Sequence, residues 1–309
     1  MNILKGVFIL FAFFFSSTTM FGQFCFGSRT DFPTNGLTPR QIITTDFNLD
    51  NKPDLIVAST GNKSLSFLIG SGTGSFSVGS TFTLVGSPGS LTSDDFNNDG
   101  KPDVATVNGN SVQIVFGDGI SGCTSHTVFQ IGTQPVFIVS ADFNHDSNFD
   151  LAIAHYGGSS ISILTGNGDG SFNTPVVYGV GSSPVSIIIK DFNNDSESDL
   201  AVANNGSNDV TILLGSSNGS FVVGSTVPVG NMPSSLTSFD ANLDSKMDLM
   251  VSNYADGNIS ILIGNGTGSF VSTSTINVVT PSSLCNADLN GDGKGDLISA
   301  NNYGGISFY

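Results

Sequence analysis

Six nine-residue segments of this chain share one pattern: DFNLDNKPD at 46–54, DFNNDGKPD at 95–103, DFNHDSNFD at 142–150, DFNNDSESD at 191–199, DANLDSKMD at 240–248 and DLNGDGKGD at 288–296. Measured from first Asp to first Asp, the intervals are 49, 47, 49, 49 and 48 residues. A period of about 40–50 residues marks a repeat architecture, a propeller or a solenoid, whose units bury their apolar faces only by stacking on one another.

The third unit shows what one period contains. PVFIVSADF (135–143) is apolar and alternating, as a half-buried strand is. After the acidic segment come DLAIAHY (150–156) and ISILTG (161–166), both with the apolar runs of buried strands. The turn NGDGSF leads into NTPVVYGVG, a fourth and more polar strand, and Pro184 opens the next unit. The other units keep this order, with DLIVAST, DVATVNG, DLAVANN, DLMVSNY and DLISANN after the acidic segments. Four strands and four turns per unit describe a propeller blade. Helical solenoids are excluded because no stretch carries a 3.6-residue apolar period. A parallel β-helix is the remaining competitor, but its rungs are shorter than this unit.

The expected fold is therefore all-β, a β-propeller of six four-stranded blades, with a seven-bladed or truncated ring as the alternative. The last unit stops after its third strand at GGISFY, whereas residues 24–47 hold material for one extra strand. A ring closed by adding that N-terminal strand to the final blade would remove an edge open to aggregation. It would also place Cys25 and Cys285 in one blade. That is the only pairing the chain motivates, since three cysteines with Cys123 are too few and too scattered for a disulfide framework.

The N-terminus carries one Lys, an apolar run from Val7 to Phe15, and then small polar residues. This is the form of a secretory signal peptide, expected over 1–22, and the run is well short of the ~20 residues a membrane span needs. The expected domains are thus 1–22, removed on export, and 24–309, the propeller. The expected location is secreted or extracellular, with no membrane span in the mature chain.

Charge is sparse and local. The net charge is −16, and 19 of the 25 acidic residues sit in the six segments, three Asp in each and Glu197 in the fourth. With nine Lys and Arg and no basic cluster, nothing is positioned to neutralise nucleic-acid phosphates.

Each segment reads D-x-N-x-D-x-x-x-D. Position 1 is Asp46, Asp95, Asp142, Asp191, Asp240 or Asp288, and position 3 is Asn48, Asn97, Asn144, Asn193, Asn242 or Asn290. Position 5 is Asp50, Asp99, Asp146, Asp195, Asp244 or Asp292, and position 9 is Asp54, Asp103, Asp150, Asp199, Asp248 or Asp296. Oxygen donors at alternate positions of a turn describe a cage for a hard cation, and all-oxygen ligation favours Ca²⁺ over zinc or copper. Position 7 is Lys52, Lys101, Asn148, Glu197, Lys246 or Lys294, as varied as expected if only its carbonyl oxygen serves. Position 6 is Asn51, Gly100, Ser147, Ser196, Ser245 or Gly293, small residues suited to a left-handed backbone. Without a cation, clustered carboxylates would repel and hold their protons more tightly. About six Ca²⁺ ions would bring the net charge from −16 to about −4. The plainer reading is an Asx-rich turn that binds nothing; Asp and Asn favour turns in any case, and six copies in phase argue against it.

The D-x-N-x-D-G-x-x-D-L segment, the DLAVANN strand and the GNGDGSF turn together resemble FG-GAP/VCBS repeats, the blades of the integrin α-subunit propeller. The resemblance spans about residues 24–309. It implies a Ca²⁺ site in the loop joining strands 1 and 2 of each motif-bearing blade, and a ligand on the opposite face. The family commonly closes with seven blades, whereas six motifs are visible here. On the opposite face it points to the strand 2–3 loops and so to His155, Tyr156, Asn204, Asn205, Asn253, Tyr254, Asn302 and Tyr303, though Asn-Gly is also ordinary turn chemistry.

The expected function is a secreted calcium-binding propeller serving protein interaction or cell adhesion, its partner an extracellular protein or glycan. A calcium-dependent lectin is the alternative, weakened by the absence of Trp and the presence of only five Tyr. An enzyme is not expected, because catalysis needs an asymmetric constellation and His126, His145 and His155 form none in sequence. Glycosylation sequons occur at Asn62, Asn194, Asn205, Asn218, Asn258 and Asn265.

Overall fold

A computed structural model describes residues 30–302 and 305–309. The expected signal peptide, Cys25 and Tyr303 lie outside the described residues. Every regular element among the described residues is a strand, and the strands form six sheets in chain order. Contacts divide the chain into two compact units, one running to Ile131 with Gly166–Ser171 added, the other holding the rest.

The first unit holds two sheets. One consists of β1 (Pro39–Thr45), β2 (Asp54–Ser59), β3 (Ser64–Gly70) and β4 (Phe76–Thr83). The next consists of β5 (Pro88–Asp94), β6 (Asp103–Asn108), β7 (Ser111–Gly117) and β8 (Cys123–Gln130). Phe47, Ile56, Ala58, Leu65 and Phe67 pack with Leu84, Leu91, Val104 and Val115 into one core.

The second unit holds four sheets. Their strands are β9 (Pro135–Ala141), β10 (Asp150–His155), β11 (Ser160–Leu164) and β12 (Val176–Gly179); then β13 (Pro184–Lys190), β14 (Asp199–Asn204), β15 (Asp209–Gly215) and β16 (Phe221–Pro228). They continue with β17 (Pro233–Phe239), β18 (Asp248–Asn253), β19 (Asn258–Gly264) and β20 (Phe270–Asn277), and end with β21 (Pro281–Ala287), β22 (Asp296–Asn301) and β23 (Ile306–Phe308).

The fold is thus an all-β propeller of six blades, as the repeat predicts. Within each, strands pair antiparallel in chain order. Apolar residues run through β2, β6, β10, β14 and β18 without alternation because both sides are covered; every residue of these strands is buried. The fourth strands instead mix Ser and Thr with apolar residues and stay largely exposed.

The sixth sheet has three strands. The extra N-terminal strand expected from 24–47 is not formed by its described part: residues 30–38 are irregular, and Phe32 stacks edge-on against Phe76 of β4 at 5.3 Å. Residues 24–29 lie outside the described residues.

Each first strand opens on a proline, and the ladder shifts register there, since proline has no N–H to contribute. The residue before five of these prolines, Thr38, Gln134, Ser183, Met232 and Thr280, is left-handed, with φ between 47° and 57°. Its carbonyl accepts the N–H of the residue that follows the second strand, such as Tyr156 on Gln134 at 3.0 Å and Tyr254 on Met232 at 3.0 Å. That bond ties the 4–1 connection to the 2–3 turn at one end of the blade. The acidic loops occupy the other end.

Candidate metal centre

Each acidic segment bridges a first strand and a second strand, so six loops have the same setting. In all six, the position-1 carboxylate accepts the backbone N–H groups of positions 5 and 6, at 2.9–3.2 Å and 2.7–2.9 Å respectively. The position-3 amide oxygen accepts the N–H of position 5 at 2.8–3.1 Å. The position-5 carboxylate accepts the N–H of position 7 at 2.8–3.0 Å. These are nested Asx turns, and they turn each Asp or Asn toward the loop interior.

Two left-handed residues per loop make this possible. Position 6 has φ between 62° and 83°, as its composition implies. Position 4 is also left-handed, between 56° and 74°, although it is Leu49, Asn98, His145, Asn194, Leu243 or Gly291. The sequence carries no clear signal for the second of these, because leucine is a poor left-handed residue. A cost of about 1–2 kcal/mol per non-glycine residue is held in place by the Asx network around it.

Position 9 plays a different part from the other donors. Asp54, Asp103, Asp150, Asp199 and Asp248 are buried, at 0–1% exposure. One oxygen of the carboxylate accepts the N–H of position 2 at 2.8–3.0 Å in every loop. The other accepts the N–H of the glycine closing the third strand, Gly70, Gly117, Gly215 or Gly264, at 2.6–2.9 Å. The ninth aspartate therefore fastens the loop to strand 3. Burial pushes the Asp103 carboxyl up to about 7, against the two amides that favour its ionised form, with the Asp99 and Asp95 charges adding less. Burial likewise raises Asp54, Asp199 and Asp248. The upward shift at these four position-9 aspartates is led by burial, with the repulsion expected between clustered carboxylates adding less.

Position 5 has other partners too. Lysines of position 7 reach its second oxygen, Lys52 to Asp50 at 3.0 Å, and Lys101 to Asp99 and Lys246 to Asp244 at 3.5 Å. The hydrogen bond from Lys52 holds the Asp50 carboxyl below its ordinary range. In the third and fourth loops the position-3 amide donates instead, Asn144 to Asp146 at 3.0 Å and Asn193 to Asp195 at 2.8 Å. Neighbouring loops also touch: His145 Nε2 lies 2.7 Å from Glu197 Oε2. The donors are all oxygens, several of them charged, and this chemistry fits a hard cation. Among the described residues no three His, Cys, Asp or Glu side chains converge closely enough to hold one as they stand.

Position 2 is a core residue in five loops. Phe47, Phe96, Phe143 and Phe192 are buried, as is Leu289, so these loops are plugged into the blade beneath them, whereas Ala241 of the fifth loop is exposed. Phe143 and Phe192 meet Phe221 and Phe270, the aromatic residues that open fourth strands, edge to face at 5.3 and 5.5 Å.

At the opposite end of the blades, the residues expected to meet a ligand divide. His155, Asn204 and Asn253 close second strands and are buried, bonded to hydroxyls of the third strand: Ser162 at 2.8 Å, Thr211 at 2.9 Å and Ser260 at 2.8 Å. They cannot line an accessible surface. Tyr156 and Asn302 are exposed, and Asn205 and Tyr254 are partly so. Met232, which the sequence reading missed, is 45% exposed beside Tyr254. The free thiols among the described residues are Cys123 and Cys285.

Against solved structures, the chain is similar to BBS1N in complex with ARL6DN, at 16% identity and a TM-score of 0.64, over 89% of this chain and 79% of that one. It is similar to a functionally unknown protein from Desulfotomaculum acetoxidans, at 14% identity and a TM-score of 0.60, over 88% and 85%. It is also similar to an Agrocybe aegerita protein described as recognising non-reducing terminal N-acetylglucosamine, at 15% identity and a TM-score of 0.54, over 88% and 80%. At these identities the likeness shows the fold. No curated protein matches the chain. The family model described as FG-GAP-like repeat matches five overlapping stretches, 46–106, 95–153, 142–202, 191–251 and 240–299, each running from one acidic loop past the start of the next. With the matches covering most of its length, the chain belongs to the FG-GAP-like repeat family.

Proposed function

We propose that this chain is a secreted, calcium-binding propeller that serves as a protein-interaction or adhesion module. The observation that carries the calcium reading is the shared hydrogen-bond network of the six loops. It holds an Asp, an Asn and a second Asp inward over the same backbone turn, with two left-handed residues in each copy. The side-chain oxygens of positions 1, 3, 5 and 9 and the carbonyl of position 7 would hold the ion. Bound Ca²⁺ would neutralise the carboxylates that otherwise repel one another. The lysines and amides now on the position-5 oxygen would be released to solvent.

The interaction reading rests on the repeat family and on the likeness to BBS1N, which the solved structure describes in complex with ARL6DN. The ligand end of the second unit presents Tyr156, Met232, Tyr254 and Asn302, and an aromatic and apolar set of this kind suits a protein partner. A binding role also agrees with the histidines: His126 packs on Phe82, His145 on Glu197 and His155 on Ser162. A carbohydrate ligand is the second reading, favoured by the likeness to the N-acetylglucosamine-recognising protein. A glycan array set against pull-down of extracellular proteins separates the two.

The test of the calcium reading is a thermal melt of the chain in chelator and in millimolar Ca²⁺, with calorimetric counting of bound ions. At about ten times Kd each site adds roughly 1.4 kcal/mol by linkage, so several occupied loops raise Tm clearly. An unchanged Tm with no ion bound would reduce the loops to turns.

A further inference from the structure

The turn joining β19 to β20 carries an asparagine set up for chemistry on itself. Asn265 is followed by Gly266, one of seven Asn-Gly dipeptides in the chain. In such a pair the glycine nitrogen can attack Cγ of the asparagine side chain. An N–Cγ bond forms, the Cγ–Nδ2 bond breaks, and the amide nitrogen leaves as ammonia. Water then opens the succinimide ring to aspartate or isoaspartate. The step needs an exposed amide, an uncommitted glycine N–H and a polarised Cγ=Oδ1 bond.

Asn265 meets all three conditions. It is exposed, and its Oδ1 accepts the Thr267 N–H at 2.9 Å, the Thr267 hydroxyl at 2.8 Å and the Ser269 N–H at 3.3 Å. Three donors on one oxygen draw electron density from Cγ. Its Nδ2 and the Gly266 N–H have no hydrogen-bond partner among the described residues.

The other dipeptides each lack a condition. The glycine N–H is committed at Gly206, to Ser182 at 2.9 Å, and at Gly219, to Ser216 at 2.8 Å. Gly291 donates to Asp288 at 2.7 Å. Asn108 is buried, and the Nδ2 of Asn167 is held by Ser171 at 2.9 Å. No donor is seen on the side-chain oxygen of Asn35.

We propose that Asn265 is the principal site of spontaneous deamidation in this chain. The aspartate product fits without rearrangement, because Asp118 already stands at the equivalent turn position between β7 and β8. There it accepts the N–H groups of Ile120, Ser121 and Gly122 at 2.7–3.0 Å. The isoaspartate product inserts a methylene into the main chain beside Gly266. A Cβ built on Gly266 would lie 2.9 Å from Asn194 Nδ2 and 3.1 Å from Lys246 Cδ. The modification therefore alters charge and backbone next to the fourth and fifth acidic loops.

The test incubates the native chain in mildly alkaline buffer made with ¹⁸O water and locates labelled aspartate and isoaspartate by tandem mass spectrometry. Asn265 should convert several-fold faster than Asn218 or Asn290. Thr267→Val, which removes one polarising donor, should slow it several-fold, and Thr267→Ser, which keeps the hydroxyl, should not. In the urea-unfolded chain the advantage should vanish. Equal rates at Asn218 or Asn290, an undiminished rate in a folded Thr267→Val variant, or an advantage that survives unfolding would overturn the proposal.

Discussion

Asp103 accepts a hydrogen bond at 2.8 Å from the backbone N–H of Gly117, fourteen residues further along, and so joins the second acidic loop to the end of β7. Its other oxygen takes the Phe96 N–H at 3.0 Å, and the side chain is buried. Asp103→Ala leaves two buried N–H groups without an acceptor. At about 1–3 kcal/mol for each, the expected loss is about 2–6 kcal/mol, read from urea denaturation in chelator. Asp103→Asn keeps one acceptor and should lose less.

The same carboxyl imposes a pH dependence. Its folded-state pKa of about 7 lies above the ordinary value of 3.8, so the folded chain binds this proton more tightly than the unfolded chain. Its contribution to stability is therefore largest in acid and declines as pH rises from about 4 to about 7. Measured in chelator, the denaturation midpoint should carry this slope, and Asp103→Asn should flatten it. An unchanged slope in the variant would show that Asp103 is ionised throughout.

His145 and Glu197 give the same sign at higher pH. The hydrogen bond and charge of Glu197 raise the His145 pKa above 6.5. The pair contributes fully below that value, and the contribution disappears as pH rises through the folded pKa. An NMR titration should place His145 above 6.5 and Glu197→Gln should bring it back. Both side chains meet solvent, so a change in global stability is not expected.

Phe192 plugs the fourth loop into the core and meets Phe270. Phe192→Ala removes a buried aromatic ring, and the expected cost is about 3–5 kcal/mol in the denaturation midpoint. A cost below about 1 kcal/mol would mean that the loop is held by its hydrogen bonds alone.

The left-handed positions predict two opposite changes. Leu243, at φ 62°, is strained, and its side chain is 59% exposed. Leu243→Gly should stabilise the chain by up to about 1 kcal/mol in a chelator melt. Gly100 has φ 80° with open space around it, so Gly100→Ala meets no clash but still pays backbone strain. It should destabilise by about 1 kcal/mol.

The repeat and its spacing determined the number of blades, the order of strands within each and the placement of the acidic loops between first and second strands. They could do so because strand patterning and Asx turns are local, and six copies average out the noise in any one. The donor set of each loop was legible for the same reason. Tertiary structure alone decided what each donor touches. The sequence treats the four oxygen positions alike, yet the ninth aspartate is buried by strand 3 and bonded to a glycine 14–16 residues away. His155, Asn204 and Asn253 read as loop residues, but the neighbouring third strand covers them and supplies a hydroxyl partner. Leu243 turned left-handed against its own preference because the Asx bonds on either side outweigh the local strain. Burial and hydrogen-bond partners are properties of what packs alongside a residue, and no pattern within nine positions encodes them.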